Sequence, residues 1–146
     1  MSQPVTHSLV KALRGVPDFA VLDDRTLLRI VGASTNLVWP AGSAVFEPGA
    51  RTEGLYVVLS GKVLIYETAD GEEREVISVG PGGFFGEHSV LFDTEHSKRA
   101  RAVEPSELMI VPRESFQAIM ADHPEIVAHL MARIETRLTE RRPGTT

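Results

Sequence analysis

Cysteine is absent from this chain. That excludes disulfides and thiolate metal sites, and it fits a reducing compartment. Also absent is any apolar run near the roughly 20 residues needed to span a bilayer. The N-terminus lacks the basic and apolar regions of a secretory signal. These absences lead to the expectation of a cytoplasmic protein with no membrane partner. Aromatics are scarce at 6%, with a single tryptophan, Trp39. A Gly-X-Ser-X-Gly elbow, a Walker loop and a thiol nucleophile are all missing, so no familiar catalytic pattern is offered and a non-enzyme is expected. The formal charge of −5 argues against general nucleic-acid binding. What remains is a chain of 146 residues, 42% apolar and 24% charged, the size of one globular domain.

Both ends read as helical. Ser8 to Gly15 carries Leu9, Val10, Ala12 and Leu13 at helical spacing, with Ser8 as cap and Gly15 as stop. Asp23-Asp24 precede a second amphipathic stretch containing Leu27, Leu28, Ile30 and Val31, with Gly32 near its end. Residues 113–121 carry Phe116, Ile119 and Met120, and Asp122-His123-Pro124 interrupts the pattern. A last helix is expected from Pro124 to about Arg142, with Val127, Met131, Ile134 and Leu138 as a seam and a basic end at Arg133, Arg137, Arg141 and Arg142. Residues 143–146 read as a frayed tail, leaving 1–142 as a single domain.

Between the helical ends lie short runs rich in β-branched and aromatic residues, at 36–39, 43–46, 54–59, 62–68, 74–79, 100–103 and 107–111. Gly, Pro and Asp separate them, and Asp70-Gly71 is a hairpin signal. The expected fold class is mainly β with flanking α-helices: a double-stranded β-helix, or jelly-roll barrel, with N-terminal helices and a C-terminal lid or dimer helix.

The most informative stretch is 80–103. Gly80, Pro81, Gly82, Gly83 and Gly86 make a loop whose amides can turn toward a ligand. Glu87 follows the loop directly, and then come a short apolar turn and a cationic cluster. A carboxylate there suits a sugar hydroxyl, not a phosphate. Phe85-Gly86-Glu87, then Ser89-Val90-Leu91 and Ser97, resemble the phosphate-binding cassette of the cyclic nucleotide-binding domain family. Phe46-Glu47-Pro48-Gly49, Leu55 through Val63, and Ala102 through Phe116 are similar to the rest of that family's roll, so the likeness covers about residues 9–138. It implies a regulatory module binding cAMP or cGMP inside the barrel and signalling through the C-terminal helix, often as a homodimer.

Carried over residue by residue, the resemblance puts Phe85, Gly86, Glu87, His88, Ser89, His96, Ser97, Lys98, Arg99 and Thr136 at the ligand. Glu87 would take the ribose hydroxyl, the amides of Glu87, His88 and Ser89 the phosphate, and Thr136 the base. Where the family has its phosphate-clamping arginine, nine residues after the Glu, this chain has His96. Lys98 or Arg99 replaces the clamp only if strand alternation points it inward. In regulators of the family that bind DNA a helix-turn-helix domain would begin after the last helix, and no such sequence occurs here. Two further readings stay open. One is a non-binding structural or dimerisation domain of the same fold. The other is a cupin-like metal enzyme using Glu87, His88 and His96, with His7, His123 and His129 elsewhere, although no His-X-His pair occurs.

Overall fold

The computed structural model describes residues 3–16 and 19–132. Helix α1 (Gln3–Arg14) and helix α2 (Asp24–Ala33) come first. The Asp23 carboxylate caps α2 by accepting the Thr26 amide at 2.8 Å. Ser8 lies inside α1, not at its cap as expected. Pro4 in the first turn supplies the start, since its missing N–H would have no partner within the helix there.

Eight strands follow: β1 (Thr35–Trp39), β2 (Ala44–Phe46), β3 (Gly54–Ser60), β4 (Val63–Ala69), β5 (Glu72–Val79), β6 (Phe84–Phe85), β7 (Arg99–Ala102) and β8 (Ser106–Pro112). Helix α3 (Glu87–Phe92) sits between β6 and β7, and α4 (Arg113–Asp122) follows β8. After the break at His123 a further helix, α5, runs over residues 124–132. The strands form two antiparallel four-stranded sheets, ordered β1-β8-β3-β6 and β2-β7-β4-β5. This is the expected jelly roll.

Three layers result. On one face of the first sheet, Leu55, Val57, Phe84, Met109 and Val111 pack against Leu13, Phe19, Leu27, Ile30, Phe116 and Ile119 from the helical side. On the other face, Tyr56, Val58, Phe85, Leu108 and Ile110 meet Val63, Ile65, Val79 and Ala100 of the second sheet. Strands β3 and β8 are therefore buried on both sides. That is why they read as unbroken apolar runs, Leu55 to Leu59 and Leu108 to Val111, without alternation. Strand β5 opens with the exposed charged run Glu72 to Glu75. The β4–β5 hairpin turns at Asp70 (φ 55°) and Gly71 (φ 79°), the two positive dihedrals that a two-residue primed turn needs.

Helix α5 turns a different stripe to the core from the expected seam. Ile126 and Leu130 bury into the core, whereas Val127 is half-buried and Met131 is 39% exposed. Ile134 and Leu138 lie outside the described residues.

Candidate functional site

The glycine-rich turn does less for a ligand than its composition suggests. The Gly82 amide is donated to the Val58 carbonyl at 3.0 Å and the Gly83 amide to Gly80 at 3.0 Å. Gly83 returns its own carbonyl to the Val58 amide at 2.9 Å. The turn thus docks β6 against β3, and these amides serve the fold. Gly86 is different. It caps α3 in the left-handed region (φ 84°), where a Cβ would lie 3.3 Å from the Tyr56 ring. That conformation swings the chain from β6 into α3 and delivers Glu87 and Ser89 to buried positions, 4% and 5% exposed.

His96 arrives from the other direction. Its amide donates to the Ala50 carbonyl at 2.9 Å, and its carbonyl accepts the Gly49 amide at 2.7 Å. This pairing with the loop after β2 turns the ring inward. The imidazole stacks face to face on Phe46, 3.5 Å between centroids and 3° between planes. His96 Nδ1 lies 3.0 Å from Ser89 Oγ. Nε2, on the far side of the ring, is buried with no hydrogen-bond partner among the described residues. Burial lowers the imidazole pKa from 6.5 to about 4, so the ring is neutral near pH 7. In the ligand-free chain the folded state then binds fewer protons than the unfolded one between these values, and stability falls as the pH drops from about 6.5 toward 4.

Aromatic rings line this interior. Phe46 lies 5.7 Å from Tyr56 and 5.9 Å from Phe85, and Tyr56 stacks on Phe85 at 5.0 Å. Burial pushes the Tyr56 phenol up to about 12, which keeps it protonated.

The cationic cluster mostly faces elsewhere. Ala100 and Ala102 of β7 are fully buried, so Arg99 and Arg101 alternate to the outer face. Arg99 Nε donates to Glu47 at 2.6 Å, and Nη1 donates to Glu73. Arg101 lies over the Tyr66 ring, 5.8 Å from its centroid. Arg99 is therefore no inward clamp, contrary to its place among the expected site residues, because the strand period settles its side. Replacing Arg99 by Ala should leave the urea midpoint almost unchanged, since its partners are solvent-accessible. A large loss of stability would show that the outer pair holds β2 to β5.

Of the other expected positions, Phe85 is buried and Gly86 half-buried beside Glu87 and Ser89. His88 is exposed with its ring 4.8 Å from Phe92, and Ser97 is exposed. Lys98 is half-buried just before β7. Thr136 lies outside the described residues. No group of three or more potential metal ligands occurs among the described residues. No described helix is long and apolar enough to cross a membrane. The Ser89–His96 pair and the Phe46 stack were not anticipated. Their only sequence signal was a histidine displaced into a position expected to hold a cation.

A jelly roll with a Gly-Glu cassette opening a short helix between β6 and β7 defines the cyclic nucleotide-binding class of regulatory fold. Comparison with known proteins gives the same answer. Residues 37–123 match the family model of the cyclic nucleotide-binding domain, and the chain belongs to that family. It is 38% identical over 104 residues to the cyclic AMP receptor protein of Thermus thermophilus, covering 70% of this chain and 48% of that protein. The chain thus spans about half the length, or less, of the curated relatives it matches. Among solved structures, the regulatory domain of Toxoplasma gondii protein kinase A with cAMP superposes with a TM-score of 0.76 at 30% identity, covering 82% of this chain and 46% of that one. The sensor domain of the transcriptional regulator DNR from Pseudomonas aeruginosa gives 0.80 at 26% identity, covering 98% and 95%.

Proposed function

We propose that this chain is a cyclic nucleotide-responsive regulatory module, not an enzyme, that binds cAMP or a close analogue inside the roll. The observation that carries the reading is Glu87, a carboxylate only 4% exposed, placed immediately after the left-handed Gly86 at the start of α3. A carboxylate has up to four acceptor sites, and ribose hydroxyls are donors of the kind it takes. The aromatic interior suits a flat base. The relatives support the ligand class, since one carries cyclic AMP in its name and another was solved with cAMP. On this reading residues 1–142 act as one cytoplasmic module. Its output is the C-terminal helix, whose Ile126 and Leu130 grip the core while Met131 points outward as one edge of a homodimer seam.

Thermal denaturation with cAMP and with cGMP tests the ligand, because a native-state ligand at a hundred times its Kd adds about 2.7 kcal/mol of stability. No rise with either nucleotide at millimolar concentration rejects the reading. Glu87→Ala should weaken cAMP about ten- to a hundredfold, the worth of a charge-assisted hydrogen bond, with the circular dichroism spectrum retained. Unchanged affinity by calorimetry would remove Glu87 from the site. Sizing by light scattering checks the dimer.

A second reading has its own observation. His96 packs flat on Phe46, in the position where the resemblance places the phosphate-clamping arginine. That favours a roll kept for its shape, and it predicts no thermal shift with any cyclic nucleotide.

A further inference from the structure

The His96 ring presents one satisfied nitrogen and one buried nitrogen with nothing to bind. Nδ1 is 3.0 Å from Ser89 Oγ, while Nε2 is enclosed without a partner among the described residues. A buried polar atom in that state costs free energy unless something fills its hydrogen-bonding capacity. The ring is held in place by Phe46 on its face, Ser89 at its edge and two backbone hydrogen bonds at its own residue. It is a rigid, oriented group with one unfilled function, buried beside the cassette residue Ser89.

A phosphodiester inside such a roll needs a compensating charge, because an unpaired buried anion is expensive. Strand β7 supplies none, as Arg99 and Arg101 stand on its outer face. A neutral imidazole can accept the Ser89 hydroxyl proton at Nδ1 and donate Nε2–H to the phosphate, but it leaves the anion's charge without a counter-charge. An imidazolium supplies that charge and carries two N–H groups, so Nδ1–H can donate to Ser89 Oγ and Nε2–H to a phosphate oxygen.

We propose that His96 makes binding of the anionic ligand proton-coupled: the roll takes up a singly charged phosphodiester together with one proton, held on the His96 imidazole, so that affinity rises as pH falls. This rests on the nucleotide-binding reading above. The proton comes from solvent and lands on whichever ring nitrogen lacks one, and no other bond changes.

The titratable and charged groups on the surrounding elements are Glu87 and His88 on α3, Tyr56 on β3, Glu47, Arg51 and Glu53 around the loop after β2, and Asp93, Glu95 and Lys98 on the segment that carries His96. None imposes a resolved charge effect on the free ring; burial alone sets its low pKa of about 4. An anion at Nε2 would supply the missing opposite charge and raise that value. Between the free and bound values, linkage makes the affinity climb by about tenfold per pH unit on acidification. The cyclic phosphodiester itself stays singly ionised throughout, so the slope would belong to the protein.

The experiment is calorimetric titration of the whole chain with cAMP from pH 5.5 to 8.5, in buffers of different ionisation enthalpy, which counts protons taken up per ligand. The expected result is uptake approaching one proton, an affinity that rises toward low pH, and loss of both effects in H96R and H96Q. H96R should bind more tightly than the parent at pH 7.5 by about tenfold or more, since its charge needs no proton. If H96R fails to fold, H96Q and the proton count of the parent chain still decide. Binding with no proton uptake and a flat pH profile would overturn the proposal while leaving the nucleotide reading intact. A flat profile whose affinity collapses in K98Q would assign the clamp to Lys98 and overturn it as well. Absence of binding at every pH would reject both the proposal and the nucleotide reading.

Discussion

Gly61→Ala should lower the unfolding free energy by about 4 kcal/mol, combining a positive-φ penalty of about 1–2 kcal/mol with an overpacking term of comparable or larger size. Gly61 (φ +93°) lies where the chain leaves β3 in one sheet for β4 in the other. A Cβ there would stand 2.5 Å from the Pro105 carbonyl oxygen and 2.6 Å from the Ser106 Cα. Residues 103–105 are themselves a crossover, carrying the chain from β7 back to β8. The two crossovers are bonded together: the Lys62 amide donates to Ser106 Oγ at 3.0 Å and the Val103 amide to the Lys62 carbonyl at 3.0 Å. The nearest atom is the Ser106 Oγ, which is held by hydrogen bonds to Lys62 and Glu104, and the two backbone atoms beside it cannot swing aside as the end of a flexible side chain would. For a chain of this size the melting temperature should fall by about 10–15 °C. Gly71→Ala is the control. Its φ is +79° but nothing lies within 4 Å of the added carbon, so it should lose only about 1 kcal/mol. Urea denaturation of the pair separates the terms, and equal losses would show that the crossover has room to relax.

Such contacts mark the boundary of what the sequence discloses. The strand runs, the Asp70-Gly71 hairpin and the helix breaks at Gly15 and His123 were legible because each is enforced by neighbours in the chain. Strand β6 was not. Two phenylalanines between glycines look like loop, and they become a strand only because Tyr56 and Val57 offer them partners. On α5 the sequence contains two apolar stripes, and periodicity cannot say which faces the core; the packing picks Ile126 and Leu130.

The site divides in the same way. Gly86-Glu87 is placed by the resemblance to the family's cassette, and the glycine there supplies the left-handed cap that the turn into α3 needs. The direction of the cationic cluster is not legible there. It depends on β7 pairing with β2 and β4 in a register that buries Ala100, and on carboxylates at Glu47 and Glu73, far away in sequence, that capture Arg99. The inward turn of His96 likewise comes from Gly49 and Ala50. A residue expected as a weak clamp thus becomes a buried, stacked and neutral one.

Phe19→Ala should be the second severe lesion, costing about 4 kcal/mol, as for other buried phenylalanines truncated to a methyl group. Phe19 is fully buried in the link between α1 and α2. Its ring lies 5.8 Å from Phe84 and meets Phe116 edge-on at 6.2 Å, so one side chain ties the N-terminal helices to β6 and to α4. The neighbour of Phe84, Phe85, faces the opposite side of the sheet and belongs to the aromatic interior. The two faces of that sheet therefore give separable effects. Loss of the Phe19 ring should open a cavity on the helical side and reduce stability sharply in urea denaturation. Protein that remains folded should bind cAMP with an affinity within about threefold of the parent, because sites without shared partners couple weakly. A loss of affinity matching the loss of stability would instead mean that the helical layer and the ligand interior move as one unit. The β6 backbone, carrying Phe84 on one face and Phe85 on the other, is the element through which that coupling would run.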